Sequence, residues 1–151
     1  MKRISLLLFV IVASVLYAEK LEITADIFRA KDADKEVRFM GHAQIVQGAT
    51  RIHASRIIVS FNEDNSTRQY KALGGVRFYI QKIKAKYRGS CRELVYLPQK
   101  KTYILKGNVK VKDQQNRRDI TASRVEIQSK TGAYTIEGNR KHAAKLTFDM
   151  K

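Results

Sequence analysis

Gly41, Gly74, Gly107 and Gly138 return at intervals of 33, 33 and 31 residues, each at the centre of one alternating pattern. With Φ for an apolar residue, the pattern reads Φ-x-Φ-x-Gly-x-Φ-x-Φ. Val37, Phe39, Ala43 and Ile45 surround the first glycine, Tyr70, Ala72, Val76 and Phe78 the second, and Tyr103, Leu105, Val109 and Val111 the third. The fourth copy starts with Tyr134 and Ile136 but ends in Arg140 and His142. Period-two alternation marks a strand with one buried face. A glycine inside such a strand marks a bend or a close approach. A period near thirty residues indicates stacked supersecondary units with atypical terminal copies.

A second pattern, Ile-x-Ala-x-x-Φ-x-Φ, alternates with the first. It reads Ile23, Ala25, Phe28, Ala30, then Ile52, Ala54, Ile57, Val59, then Ile120, Ala122, Val125, Ile127. Ile83 and Ala85 begin a further copy that Arg88 and Ser90 break. The three-residue step after each alanine flips the alternation, which sends the apolar set to the opposite face unless the backbone kinks. A bulge or corner is expected there. Polar turns are expected at 31–35, 62–67, 113–118 and 128–132, and around Pro98, the only proline. No helical stripe follows residue 18. The expected fold is all-β: a folded-over antiparallel sheet with its apolar faces turned inward.

Residues 1–18 read as a secretory signal peptide: Lys2 and Arg3, an uncharged run from Ile4 to Ala18, and a small residue at the exit. Fifteen residues fall short of the roughly 20 needed to span a bilayer. Leu16 is large for its place three residues before the cut, and an uncleaved membrane anchor is the alternative. Residues 19–151 then form one domain. The chain carries +16, and the leader holds two of its cations and no acids, leaving +14. That excess points to a polyanionic partner, and export disfavours nucleic acid, for which Tyr79, Tyr87 and Tyr96 offer only sparse stacking surfaces. Cys91 stands alone, so no internal disulfide is expected. His42, His53 and His142 lack metal-ligand spacing, and no nucleophile, zinc-hydrolase or phosphate-loop motif is present. No enzyme activity, metal or cofactor is expected.

The stretches Ile23-Thr24-Ala25-Asp26, Phe39-Met40-Gly41-His42-Ala43-Gln44-Ile45 and Ile52-His53-Ala54-Ser55-Arg56-Ile57 resemble the OstA-like domain of LptA-type periplasmic lipopolysaccharide-transport proteins. The resemblance covers residues 19–151, although each motif alone is loose. It implies an antiparallel β-jelly-roll open at both ends, after a cleaved leader. It further implies a periplasmic, non-enzymatic carrier whose apolar interior holds the acyl chains of lipid A. Copies would stack head to tail, bridging an inner-membrane anchored partner to an outer-membrane one. The degenerate third Ile-x-Ala unit and the short chain depart from the pattern.

Two residue sets carry this expectation. Phe39, Ile45, Ile52, Ile57, Val59, Val76, Phe78, Leu105, Val109, Ile120, Val125, Ile136 and Phe148 are candidates for a lipid-lined groove, with plain core as the alternative for each. Lys82, Lys84, Lys86 and Arg88 read as one strand face, with Lys110 and Lys112 on another. They are candidates for attracting lipid A phosphates, and a solvated face that blocks edge pairing is the alternative. Strands at 21–28 and 145–150 are expected to form open edges. Two rival readings share the composition: a membrane-anchored partner of the same export pathway, and a basic exported glycan-binding β-protein with a solid core.

Overall fold

The computed structural model describes residues 20–82 and 85–150. The expected signal peptide and Lys84 lie outside these residues. Ten antiparallel strands form one sheet: β1 (Leu21–Thr24), β2 (Ile27–Lys31), β3 (Glu36–Gln47), β4 (Thr50–Phe61), β5 (Thr67–Lys82), β6 (Ala85–Leu97), β7 (Thr102–Asp113), β8 (Arg118–Gln128), β9 (Tyr134–Glu137) and β10 (Lys145–Phe148). Their order is β1-β3-β4-β5-β6-β7-β8-β10, while β2 also pairs with β3 and β9 with β8. Each edge of the sheet is thus made of two short strands. The expected first edge strand, 21–28, is divided around Asp26, whose N–H donates to the Gly41 carbonyl at 2.8 Å.

The glycines explain how one sheet becomes two layers. Gly41-His42, Gly74-Gly75 and Gly107-Asn108 all have positive φ, between 49° and 82°. Left-handed backbone costs little for glycine and is most often tolerated elsewhere by asparagine, aspartate and histidine. Each pair stands opposite a single residue on the neighbouring strands: Ser55, Arg92 or Ser123. These are two-against-one bulges. The kink expected beside each Ile-x-Ala unit is therefore present, with the extra residue carried by the glycine strand. A Cβ on Gly107 would stand 2.9 Å from Cβ of Arg92, and one on Gly74 would stand 2.9 Å from Cβ of Ser55. The bulges line up across the strands as a seam. On one side lies half-sheet I: β1, residues 43–47, 50–54, 76–82, 85–91, 109–113 and 118–122, and β10. On the other lies half-sheet II: β2, residues 36–40, 56–61, 67–73, 93–97, 102–106 and 124–128, and β9.

The inner sides of both halves join in one hydrophobic cluster. The fold is an open antiparallel β-jelly-roll, as expected. Register places the inner residues in rows. Ile23, Ile45, Ile52, Phe78, Gly89, Val111, Ile120 and Leu146 run across half-sheet I. Val37, Val59, Tyr70, Tyr96, Tyr103, Ile127 and Tyr134 run across half-sheet II. The degenerate unit is corrected here. Its alanine position is held by Cys91 and its isoleucine position by Gly89, with Leu94 and Tyr96 following. Ile83 and Ala85 do not start it. The pattern was obscured because Gly89 carries no side chain: the Phe78 ring lies over it, and an added Cβ would run into the Lys110 carbonyl oxygen.

Candidate functional site: the inner slot and its mouth

Away from the seam, the tips of the two half-sheets face each other across a cavity of about 450 Å³. Gln47, Thr50 and Lys82 rim it from half-sheet I. Tyr70, Tyr96, Tyr103, Pro98 and Lys101 line it from half-sheet II, and Leu21, Ile45, Ile52, Ala72 and Leu94 complete the lining. The Tyr96 and Tyr103 rings pack at 4.4 Å between centroids, with Tyr70 at 6.2 Å from Tyr96. Burial raises the phenol of Tyr103 above its ordinary pKa and, with less force, those of Tyr70 and Tyr96, so these rings stay neutral. The rim is held by local bonds. The hydroxyl of Thr50 donates to the Gln81 carbonyl at 3.2 Å and accepts from the Gln81 N–H at 3.1 Å. Asp113, 1% exposed, braces the neighbouring turn by accepting from the backbone and side-chain nitrogens of Asn116.

Most groove candidates lie deeper than this mouth. Ile57, Val59, Val76, Phe78, Leu105, Val109, Ile120 and Val125 are buried against one another, closing the space beside the seam. Ile45 and Ile52 reach the cavity. Phe39 and Ile136 are partly buried at the margins. Phe148 lies on β10 opposite Arg118 and is 56% exposed, because among the described residues no further strand covers that edge. Tyr70, Tyr96, Tyr103 and Lys101 were not among the groove or phosphate candidates read from the sequence. Their shared row was signalled by the tyrosine two residues before Leu105 and by the aromatic pair flanking the Pro98 turn.

The cation run requires correction. β5 ends at Lys82 and pairs antiparallel with β6, which begins at Ala85, so Lys82 closes β5 while Lys86 and Arg88 belong to β6. The alternation of 82–88 spans a hairpin and is not one strand face. Lys82 sits at the mouth. Lys86, Arg88, Lys110 and Lys112 alternate with buried Ala85, Tyr87, Val109 and Val111 and so point outward. Cys91 is buried, and burial pushes its thiol up to about 12. Among the described residues no group of His, Cys, Asp and Glu is placed to hold a metal ion.

Residues 22–133 match the family model described as LptA/(LptD N-terminal domain) LPS transport protein. The crystal structure of LptH, the LptA homologous periplasmic component of the lipopolysaccharide transport device from Pseudomonas aeruginosa, is similar in fold. Its TM-score is 0.75 at 9% identity, covering 87% of this chain and 96% of that one. No curated protein matches the chain.

Proposed function

Because the chain belongs to the LptA/(LptD N-terminal domain) family of LPS transport proteins, we propose that it carries lipopolysaccharide acyl chains between its two half-sheets as one link of a periplasmic bridge. The observation that carries this reading is the mouth: an apolar cavity, continuous with the inner rows, that opens between the tips. Each methylene moved from water into such a site contributes about 0.8 kcal/mol. Lys82 and Lys101 stand at the rim, where the phosphates of lipid A would sit once its tails are inside.

At about 450 Å³ the cavity is near the lower end of the roughly 300–1,000 Å³ of ordinary ligand pockets. Several tails need more. The half-sheets therefore part on loading, and buried candidates such as Ile57, Val76, Leu105 and Ile120 become lining. The glycine pairs of the seam are the compliant points. Among the described residues the sheet ends in short strands on both sides, β1 and β2 at one end and β9 and β10 at the other. Exposed Phe28 and Phe148 flank them. Strand addition there joins copies head to tail, and joins the first and last copies to membrane-bound partners of similar fold. Residues 1–18 direct export and are removed, so N-terminal sequencing of the exported chain is expected to start at Glu19. Chemistry on the lipid is not part of this role.

Organic extraction of protein purified from a lipopolysaccharide-producing host tests the reading. Mass spectrometry is expected to find hydroxylated fatty acids in the extract. A protein that carries none, and takes up no lipopolysaccharide when incubated with it, overturns the proposal.

A further inference from the structure

The outer face of half-sheet I differs from that of half-sheet II, whose cations are paired with acids. Register sets two rows of outward residues across it. One runs Arg51, Tyr79, Arg88, Lys112 and then Asp119. The other runs His53, Arg77, Ser90, Lys110 and Thr121. With strands roughly 4.8 Å apart, Arg51 to Lys112 spans roughly 14 Å. Five cations and a histidine fall within that span, and the acids of these rows lie outside it: Asp119 one strand beyond Lys112, and Glu22 two strands beyond Arg51. No carboxylate among the described residues is within 4 Å of Arg51, Arg77, Arg88, Lys110 or Lys112.

The face is also shaped. Arg51, His53, Arg77, Tyr79, Arg88 and Ser90, with Phe78 and Gly89, line a shallow concavity of about 380 Å³. Arg88 lies over the Tyr79 ring, its guanidinium carbon 5.8 Å from the centroid. Arg88 and Lys112 stand directly opposite across β6 and β7, an arrangement of like charges that weakens a sheet. An anion placed between them removes that repulsion. Guanidinium forks suit phosphate oxygens in pairs.

We infer that this outer face binds the phosphorylated saccharide of the lipopolysaccharide whose tails lie inside. This rests on the proposed function, which supplies the ligand, and assigns a second site to its glycan. The geometry is compatible: Lys82 at the mouth and Lys86 on the next strand lead around the 82–85 hairpin from the cavity rim to Arg88. The apolar slot then holds the lipid while a separate basic face holds the sugar chain, so a lipid with several phosphates is gripped from both sides of one half-sheet.

The test uses the purified full chain and the acyl-free phosphorylated oligosaccharide released from lipopolysaccharide by mild acid. Binding by calorimetry is expected, and the R51Q/R77Q/R88Q variant is expected to bind at least tenfold more weakly. The K71Q/K106Q variant of the opposite face should bind as wild type does. Oligosaccharide stripped of its phosphates should not bind. The inference is overturned if the stripped oligosaccharide binds equally well, if the triple variant is unaffected, or if only phosphatidylglycerol vesicles bind. Retained acyl chains in the triple variant, read by mass spectrometry, separate failure of this site from failure of the carrier reading. The three arginines are exposed, so an unchanged circular dichroism spectrum is expected to accompany the loss.

Discussion

Half-sheets I and II are cut from the same strands and share one core, yet their outer faces are charged by different rules. On half-sheet II the acids stand among the bases: Glu93 lies 3.7 Å from Lys71 and 3.9 Å from Lys106, and Arg124 meets Glu126 at 3.2 Å and Glu137 at 3.9 Å. Ile58, Val95 and Ile104 share one row with Lys71 and Glu126. Half-sheet I presents cations with no such neighbours. A strand that continues through the seam changes its outward chemistry while its inward chemistry stays apolar. Folding stability accounts for the inner sides and for the neutralised face. It does not account for the cationic one, where like charges face each other. That difference separates what builds the roll from what the roll is for.

The largest effects are expected inside, and they should be alike in the two halves. Leu105→Ala in half-sheet II and Ile120→Ala in half-sheet I each remove a side chain at most 2% exposed. Each is expected to cost about 3 kcal/mol in urea unfolding. A much smaller cost in one half would break the equivalence and mark that half as the one that yields to lipid. Gly89→Ala probes a constraint that only half-sheet I has. The added methyl meets the Lys110 carbonyl and the Phe78 ring, and a loss of about 2 kcal/mol is expected by the same measurement.

The outer faces should differ in sign. Glu93→Gln removes two partly exposed ion pairs and is expected to lower stability by about 0.5 kcal/mol at low salt. Arg88→Gln relieves repulsion against Lys112 and is expected to raise stability by a few tenths of a kcal/mol. Thermal melts in dilute and in molar salt check both, since screening should shrink each effect. If both variants destabilise, the two faces do not differ as described.

The smallest effect lies at the edge of the seam. Asp26 accepts a hydrogen bond from His42 Nδ1 at 2.8 Å, and that bond, with the carboxylate charge, holds the imidazole above its ordinary value of 6.5. A raised folded-state value means that this contact stabilises fully below pH about 6.5. Its contribution is lost as pH rises through the folded value. An NMR titration of His42 should show a midpoint above 6.5 that returns toward it in Asp26→Asn. An unmoved midpoint would remove the contact from the account of the seam.

Much of this roll is legible in the amino-acid order because its determinants are local. The central glycine of each alternating run, the phase flip after Ala54 and Ala122, and the polar turns each report on a few adjacent residues. Where a determinant is shared between strands, the order misleads. The unit begun at Ile83 and Ala85 looks broken by Arg88 and Ser90 until register gives its places to Gly89 and Cys91, with Phe78 from the neighbouring strand filling the missing volume. Lys82 and Arg88 look like one face because alternation alone does not show a hairpin. The basic concavity was invisible for the same reason: Arg51, Arg77 and Arg88 belong to three strands, and only register brings them side by side. The tyrosine-rimmed mouth likewise gathers residues from hairpins far apart in the chain.

The seam also restricts how such a protein can change in size. Every left-handed pair is wedged against a residue of the adjoining strand, so a strand that slid by one position would set its kink against straight backbone. Growth is consequently quantised. A longer relative must insert a whole two-strand unit with its own glycine pair, and each insertion extends the trough by roughly 10 Å while leaving its cross-section as it was.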